Sequence, residues 1–326
     1  MADQADGLRR LIQARSNATP ALVLAELPVP AAGLVAAPAK VRSLVMTSGK
    51  GGVGTSNLAL NLSIALGELG HRVVLVDADL GLANIDLLCG LMPAHDLGDV
   101  LGSNGAVTLA DAVVEGPAGV KILAGAHGMR TLPEALGDAP ARLVAELAEL
   151  ERTADLVVVD AGSGLAAGIA TLAAAADEVA VVTTPEPTSV ADAHATIGRF
   201  RRLPGVRLRA VVNQARSAAE ARDVLDRLTA SSRQFLGAVV APMGHVRFDP
   251  RVPQAVRART PFLLASPHTA ASRCVRRMAR DWAAEVERAH LRDQALEFDR
   301  AGAPRTRRPG FFAALAARWA LSRVAR

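Results

Sequence analysis

Residues 41–57 read VRSLVMTSGKGGVGTSN, an apolar run rich in β-branched residues that halts at a glycine-rich loop and passes into a helical pattern. The reading is strand, phosphate loop, helix start. Gly49, Gly51, Gly52 and Gly54 permit tight turns that aim successive N–H groups at one point. The helix that follows adds the partial positive charge of its N-terminus, so the stretch from Gly49 through Lys50, Val53 and Thr55 to Ser56 suits a polyphosphate. The pattern G-x-x-x-x-G-K-[ST] is met at Gly49, Gly54 and Ser56, but Thr55 stands where the lysine belongs.

Outward from the loop, Leu58, Leu62, Ala65, Leu66 and Leu69 keep one helical face apolar, and Gly70 offers a left-handed stop. VVLVD at 73–77 is too short for a helix and apolar on both sides, the mark of a buried parallel strand. The same logic predicts strands near 120–124, 156–160, 179–183, 208–213 and 236–240. Helical patterns at 141–151 and 189–203 fall between them. Alternating units of this kind predict an α/β fold, a mostly parallel sheet flanked by helices on both faces, with ligands at the carboxyl ends of the strands.

The 326 residues suit one large domain with extensions. Residues 1–16 read as an N-terminal helix, 17–40 as an Ala/Pro-rich linker, 41–292 as the nucleotide-binding domain, 293–309 as a second linker and 310–326 as a basic amphipathic helix. In the last, Phe311, Phe312, Leu315 and Trp319 share a face, which suits either a membrane interface or docking on the domain. Residues 300–326 hold seven arginines and no acid, which leaves −2 on the first 299 from a total of +5. A basic tail on a near-neutral body argues against a nucleic-acid face and for an anionic surface met by the tail. No apolar run is long enough to span a bilayer, no signal-peptide pattern opens the chain, and Cys89 and Cys274 form no framework, so a cytoplasmic, peripherally membrane-associated protein is expected.

Carboxylates at strand ends carry the candidate chemistry. Asp77 and Asp79 follow the second strand; Asp160 ends another and precedes Gly162 and Gly164, which would let backbone approach a terminal phosphate. Ser56 would give its hydroxyl to Mg²⁺ with Asp77 and Asp160 close by. Any one of these acids could merely cap a helix; together with the loop they make a site.

The early lysine of SGKGGVG resembles the deviant phosphate loop of the MinD/ParA family of dimeric P-loop ATPases. DADLGLANIDLLCGL (77–91), DEVAVVTTPEPTSVADA (177–193) and DQADGLR (3–9) are similar to its FlhG (YlxH) branch, regulators of flagellar number and placement. The resemblance implies ATP and Mg²⁺ as ligands and a homodimer formed on ATP. It also implies an FlhF-like GTPase partner for residues 3–15 and an anionic membrane for 310–326. Lys50 matches the lysine that crosses to the partner's phosphates, Asp79 the residue positioning water, Asp160 the Walker B aspartate and Asn213 an adenine contact. By itself an asparagine there serves equally to satisfy loop backbone. Thr55 breaks the family pattern, since a short neutral hydroxyl cannot stand between β- and γ-phosphates as an ammonium does. Weakened or lost hydrolysis follows. A nucleotide-independent scaffold and a DNA-partitioning ATPase are the competing readings.

Overall fold

Eight strands form one sheet in the order β3-β4-β2-β5-β1-β6-β7-β8. They are β1 Arg42–Ser48, β2 Val73–Asp77, β3 Val113–Glu115, β4 Lys121–Leu123, β5 Leu156–Ser163, β6 Glu178–Thr183, β7 Arg207–Ala215 and β8 Val240–Arg247. Every pairing is parallel except β3 with β4. The computed structural model describes residues 41–79, 83–103, 105–125, 141–164, 167–298 and 310–324, with no side-chain detail for 101, 141–144, 167, 293–298 and 319–324. These belong to one unit, Val35–Arg326. The expected N-terminal helix (1–16), the linker 17–40 and most of the second linker lie outside the described residues.

Alternation along each strand divides the core in two. On β1, Leu44 and Met46 point to one face and Val45 to the other; on β5, Leu156 and Val158 oppose Val157 and Val159. One face is covered by α1 (Thr55–Glu68), α2 (Ile85–Cys89), α9 (Arg251–Arg257), α10 (Phe262–Ala265) and α11 (Ala270–Phe298). The other carries α3 (Leu97–Gly102), α4 (Leu109–Ala112), α5 (Ala141–Arg152), α6 (Ala167–Ala175), α7 (Pro187–Phe200), α8 (Ala218–Leu236) and α12 (Phe311–Val324). Strands buried on both faces explain the near-continuous apolar runs. The register sets Met46 beside Asp160 and Asp160 beside Asp77, so the ends of β1, β5 and β2 lie together.

The structure departs from the sequence reading in three places. The run 236–240 is split: Leu236 ends α8, Gly237 turns left-handed at φ 62°, and the strand starts at Val240. Strand β3, three residues long and antiparallel, gave no apolar alternation to read. Helix α11 runs to Phe298, past the expected boundary at 292, because nothing in 293–298 breaks a helix.

On β6, Glu178 is wholly buried and takes Arg207 and Arg209, the latter also reaching Glu285. Removing one partner of a buried ion pair strands the other charge. Glu178→Ala is expected to cost about 3–5 kcal/mol in urea denaturation. Breaking the exposed Arg227–Asp223 pair should cost under about 1 kcal/mol.

Candidate functional site

The loop after β1 is braced from three sides. Thr55 donates its hydroxyl to Ser48 Oγ (3.0 Å), and Ser48 Oγ donates to the carbonyl of Lys50 (3.0 Å). Asn213, at the end of β7, donates Nδ2 to the carbonyl of Val53 (2.7 Å), while its Oδ1 accepts the N–H of Gln214. Both ends of this amide therefore serve backbone, the loop-anchoring alternative left open by the sequence. Two glycines are required by close approach. A Cβ on Gly49 would stand 2.3 Å from the Asp192 carbonyl oxygen of α7; one on Gly54, where φ is +89°, would stand 2.6 Å from Asn213 Nδ2. Helix α1 then starts with no side-chain cap and no acid in its first turn, which leaves its N-terminal amides for an anion.

Beside the loop lie the three aspartates. Asp77 Oδ1 accepts the N–H of Asp79; its Oδ2 accepts those of Asn84 and Ile85 (2.9 and 3.1 Å). Its oxygens thus hold the turn between β2 and α2, and to bind metal it would have to surrender some of these bonds. Asp160 differs. Its Oδ1 accepts the N–H of Gly162, whereas Oδ2 is buried with no hydrogen-bond partner. The Ser56 hydroxyl lies beside this carboxylate and favours its charged form. Asp79 comes so close to Gly162 that a Cβ there would meet its Oδ2 at 2.2 Å, and Gly162 takes φ +64°.

Burial, with the charge of Asp160 adding to it, pushes the Asp77 carboxyl up to about 8. Burial also raises Asp160, to about 6, with the nearby charge of Asp79 contributing. The lysine of the loop, Lys50, reaches outward to Glu186 Oε2 (2.7 Å) and Thr188 Oγ1 (3.3 Å) at the start of α7. Ser189 turns inward, its Oγ accepting the N–H of Thr184 and meeting Thr183 Oγ1, so it does not cap α7. Among the described residues no three acidic, His or Cys side chains converge to hold a metal unaided. The donor set does fit magnesium, which keeps several waters and borrows phosphate oxygens: Ser56 Oγ at the loop, with the orphaned Asp160 oxygen behind it.

Residues 44–261 match the CobQ/CobB/MinD/ParA nucleotide binding domain. The chain belongs to this family. Antiactivator FleN of Pseudomonas aeruginosa is 37% identical over 71% of this chain and 82% of its own length. Flagellum site-determining protein YlxH of Helicobacter pylori is 36% identical over 47% of this chain and 52% of its own. MinD of Pyrococcus furiosus superposes with a TM-score of 0.60 at 25% identity, covering 74% of this chain and 98% of that one. As a MinD/ParA-type domain, the chain brings Lys50, Ser56, Asp79, Asp160, Gly162 and Asn213 to one end of the sheet. Sequence reading missed Glu186. A lone acid between two prolines in TTPEPTS offered no pattern to read, and only the fold sets it against Lys50.

Thr55 is buried beside Ser48, so a lysine at this position would extend from the helix start into the loop's concavity. Thr55→Lys is expected to raise phosphate release from ATP by about 100-fold or more over the natural chain. An unchanged rate would show that the deficit lies elsewhere.

Proposed function

We propose that the protein is an ATP-binding spatial regulator of the FlhG/MinD kind, acting on flagellar number or placement. Magnesium–ATP would pair two copies about their phosphates, with Lys50 leaving Glu186 to reach the partner's nucleotide. Asp79 would position water, although turnover is slow because no subunit offers an ammonium from position 55. Residues 3–15 would act on an FlhF-like GTPase. The observation that carries the reading is the loop itself: amides left open at the start of α1, the Ser56–Asp160 pair behind them, and a single lysine at the mouth held by one exposed ion pair.

The tail supplies the second half of the reading. Phe311, Phe312 and Leu315 are buried in the core on the side of α5 and α6. Glu151, at the end of α5, accepts the N–H groups of Phe311 (2.6 Å) and Phe312 (3.1 Å), capping α12 from another element. A Cβ on Gly310 would stand 2.7 Å from both carboxylate oxygens, so only glycine leaves room for this cap. Burial holds the Glu151 carboxyl above the usual carboxylate range in spite of these donors. The docked helix is thus held by a favourable cap offset by an unfavourable buried charge, a balance that modest energy can tip. Helix α6 packs on β1, the strand that leads into the loop, as well as on α12, which links the groove to the nucleotide site. In this reading α12 leaves the groove for an anionic membrane when the dimer forms.

A scaffold that needs no nucleotide is the second reading, and buried Thr55 favours it. Light scattering separates the two: magnesium–ATP should double the mass of the natural chain and leave Lys50→Ala monomeric, whereas a scaffold ignores nucleotide in both. Glu151→Ala should orphan two amide donors, at about 1–3 kcal/mol each. Faster hydrogen exchange at residues 311–315 and stronger vesicle binding without nucleotide are the expected results; unchanged exchange would remove Glu151 from the account.

A further inference from the structure

Charge is sorted along this chain. Residues 41–198 carry seven basic and nineteen acidic side chains, and residues 199–292 carry nineteen basic and seven acidic. Net charges of −12 and +12 therefore cancel in the total and hide the asymmetry. The second stretch supplies β7, β8 and the helices α8, α9, α10 and α11, so the positive charge gathers at one end of the sheet, where β8 is the edge strand.

His245 on β8 marks a focus of that charge. Its imidazole is held below the usual range by burial first, and then by the charges of Arg222, Arg277 and Arg247. Those arginines come from three elements, α8, α11 and the end of β8. All three are exposed, as is Arg280 one turn beyond Arg277. None of the four has an acidic partner among the described residues, whereas Arg209, Arg227 and Arg276 are paired with Glu178, Asp223 and Glu68. Like charges brought together without counter-charge repel, so this edge gains when an anion arrives. The guanidinium fork matches phosphate oxygens in particular.

We propose that this arginine edge is a second membrane contact, in which Arg222, Arg247, Arg277 and Arg280 bind the phosphate groups of anionic lipids while helix α12 supplies the apolar contact. The inference rests on the membrane reading above and goes beyond it. A single short apolar anchor binds a bilayer only marginally, and a polybasic patch is the second signal that makes the attachment stable. Twelve residues, 299–310, join α12 to α11, the helix that carries Arg277 and Arg280. At full extension they reach about 40–43 Å, enough for the released tail and the arginines to meet one surface. Phe248 follows Arg247 and is 57% exposed, an apolar ring beside the charges that can enter the headgroup/acyl boundary. Its neighbourhood favours lipid over a nucleic-acid backbone, which would be met by the charges alone.

The test uses the full chain with magnesium–ATP, sedimented with vesicles rich in phosphatidylglycerol or made of phosphatidylcholine alone. All three substituted residues are exposed, so Arg222→Gln/Arg247→Gln/Arg277→Gln should melt like the natural chain. The triple variant is expected to bind phosphatidylglycerol vesicles about 100-fold more weakly, at roughly fivefold per arginine, with a shallower salt dependence and unchanged phosphatidylcholine binding. Trp319→Asp, which puts a charge in the tail's apolar stretch, tests the other contact. If Trp319→Asp abolishes binding while the triple variant binds like the natural chain, the tail alone meets the membrane; the inference falls and the proposed function stands. A natural chain that ignores both vesicles sinks both readings. One that ignores vesicles but retards duplex DNA through the same arginines assigns the edge to nucleic acid and overturns the lipid proposal.

Discussion

A triphosphate brought to the end of β1 meets Asp77, Asp79 and Asp160, three carboxyl groups that the fold itself crowds together. Parallel pairing of β2, β5 and β1 sets the strand ends side by side, and burial on both faces removes the water that would otherwise screen them. A P-loop domain ordinarily answers with an ammonium at position 55. Here that place holds a buried hydroxyl turned to Ser48. In the proposed function the positive charge that remains would come from the amides of the loop and of α1, from magnesium beside Ser56 and Asp160, and from the Lys50 of a second copy. Each of these is external to the subunit or weak, which would make occupancy conditional on metal and on pairing.

Conditional occupancy gives the exposed contacts their meaning. Lys50 rests on Glu186 in an ion pair open to solvent, a kind of contact worth little and easily exchanged for a phosphate. Helix α6 packs on β1, the strand that leads into the loop, and forms one wall of the groove that holds α12. In the proposed function a rearrangement at the phosphates would reach the tail through these packed elements. Among the described residues no helix is long and apolar enough to cross a membrane.

Much of this could be read from the residues alone. The loop, the buried strands and the aspartates at their ends declared themselves because each is a local pattern: glycine spacing, a short run apolar on both faces, an acid where the run stops. What escaped depended on distant residues meeting. Asn213 could not reveal that its amide would hold Val53, 160 positions away. Nor could Glu151 show that it would cap a helix starting at Phe311. The run LGAVV was read as strand because apolar β-branched residues dominate it; Gly237 in a left-handed turn splits it between helix and strand. The total charge misled in the same way, since a sum over the chain is blind to where the fold puts its parts. The FlhG-type stretch at 3–9 carries the GTPase-partner reading and lies outside the described residues, so that part of the account rests on sequence resemblance alone.

The most direct test of the central claim is a calorimetric titration of the purified protein with ATP, in the presence of magnesium and again in excess chelator. The account predicts micromolar binding with magnesium and none detectable at millimolar nucleotide without it, because the dication is the chief compensating charge within the subunit. No heat in either titration, or equal affinity in both, would contradict it.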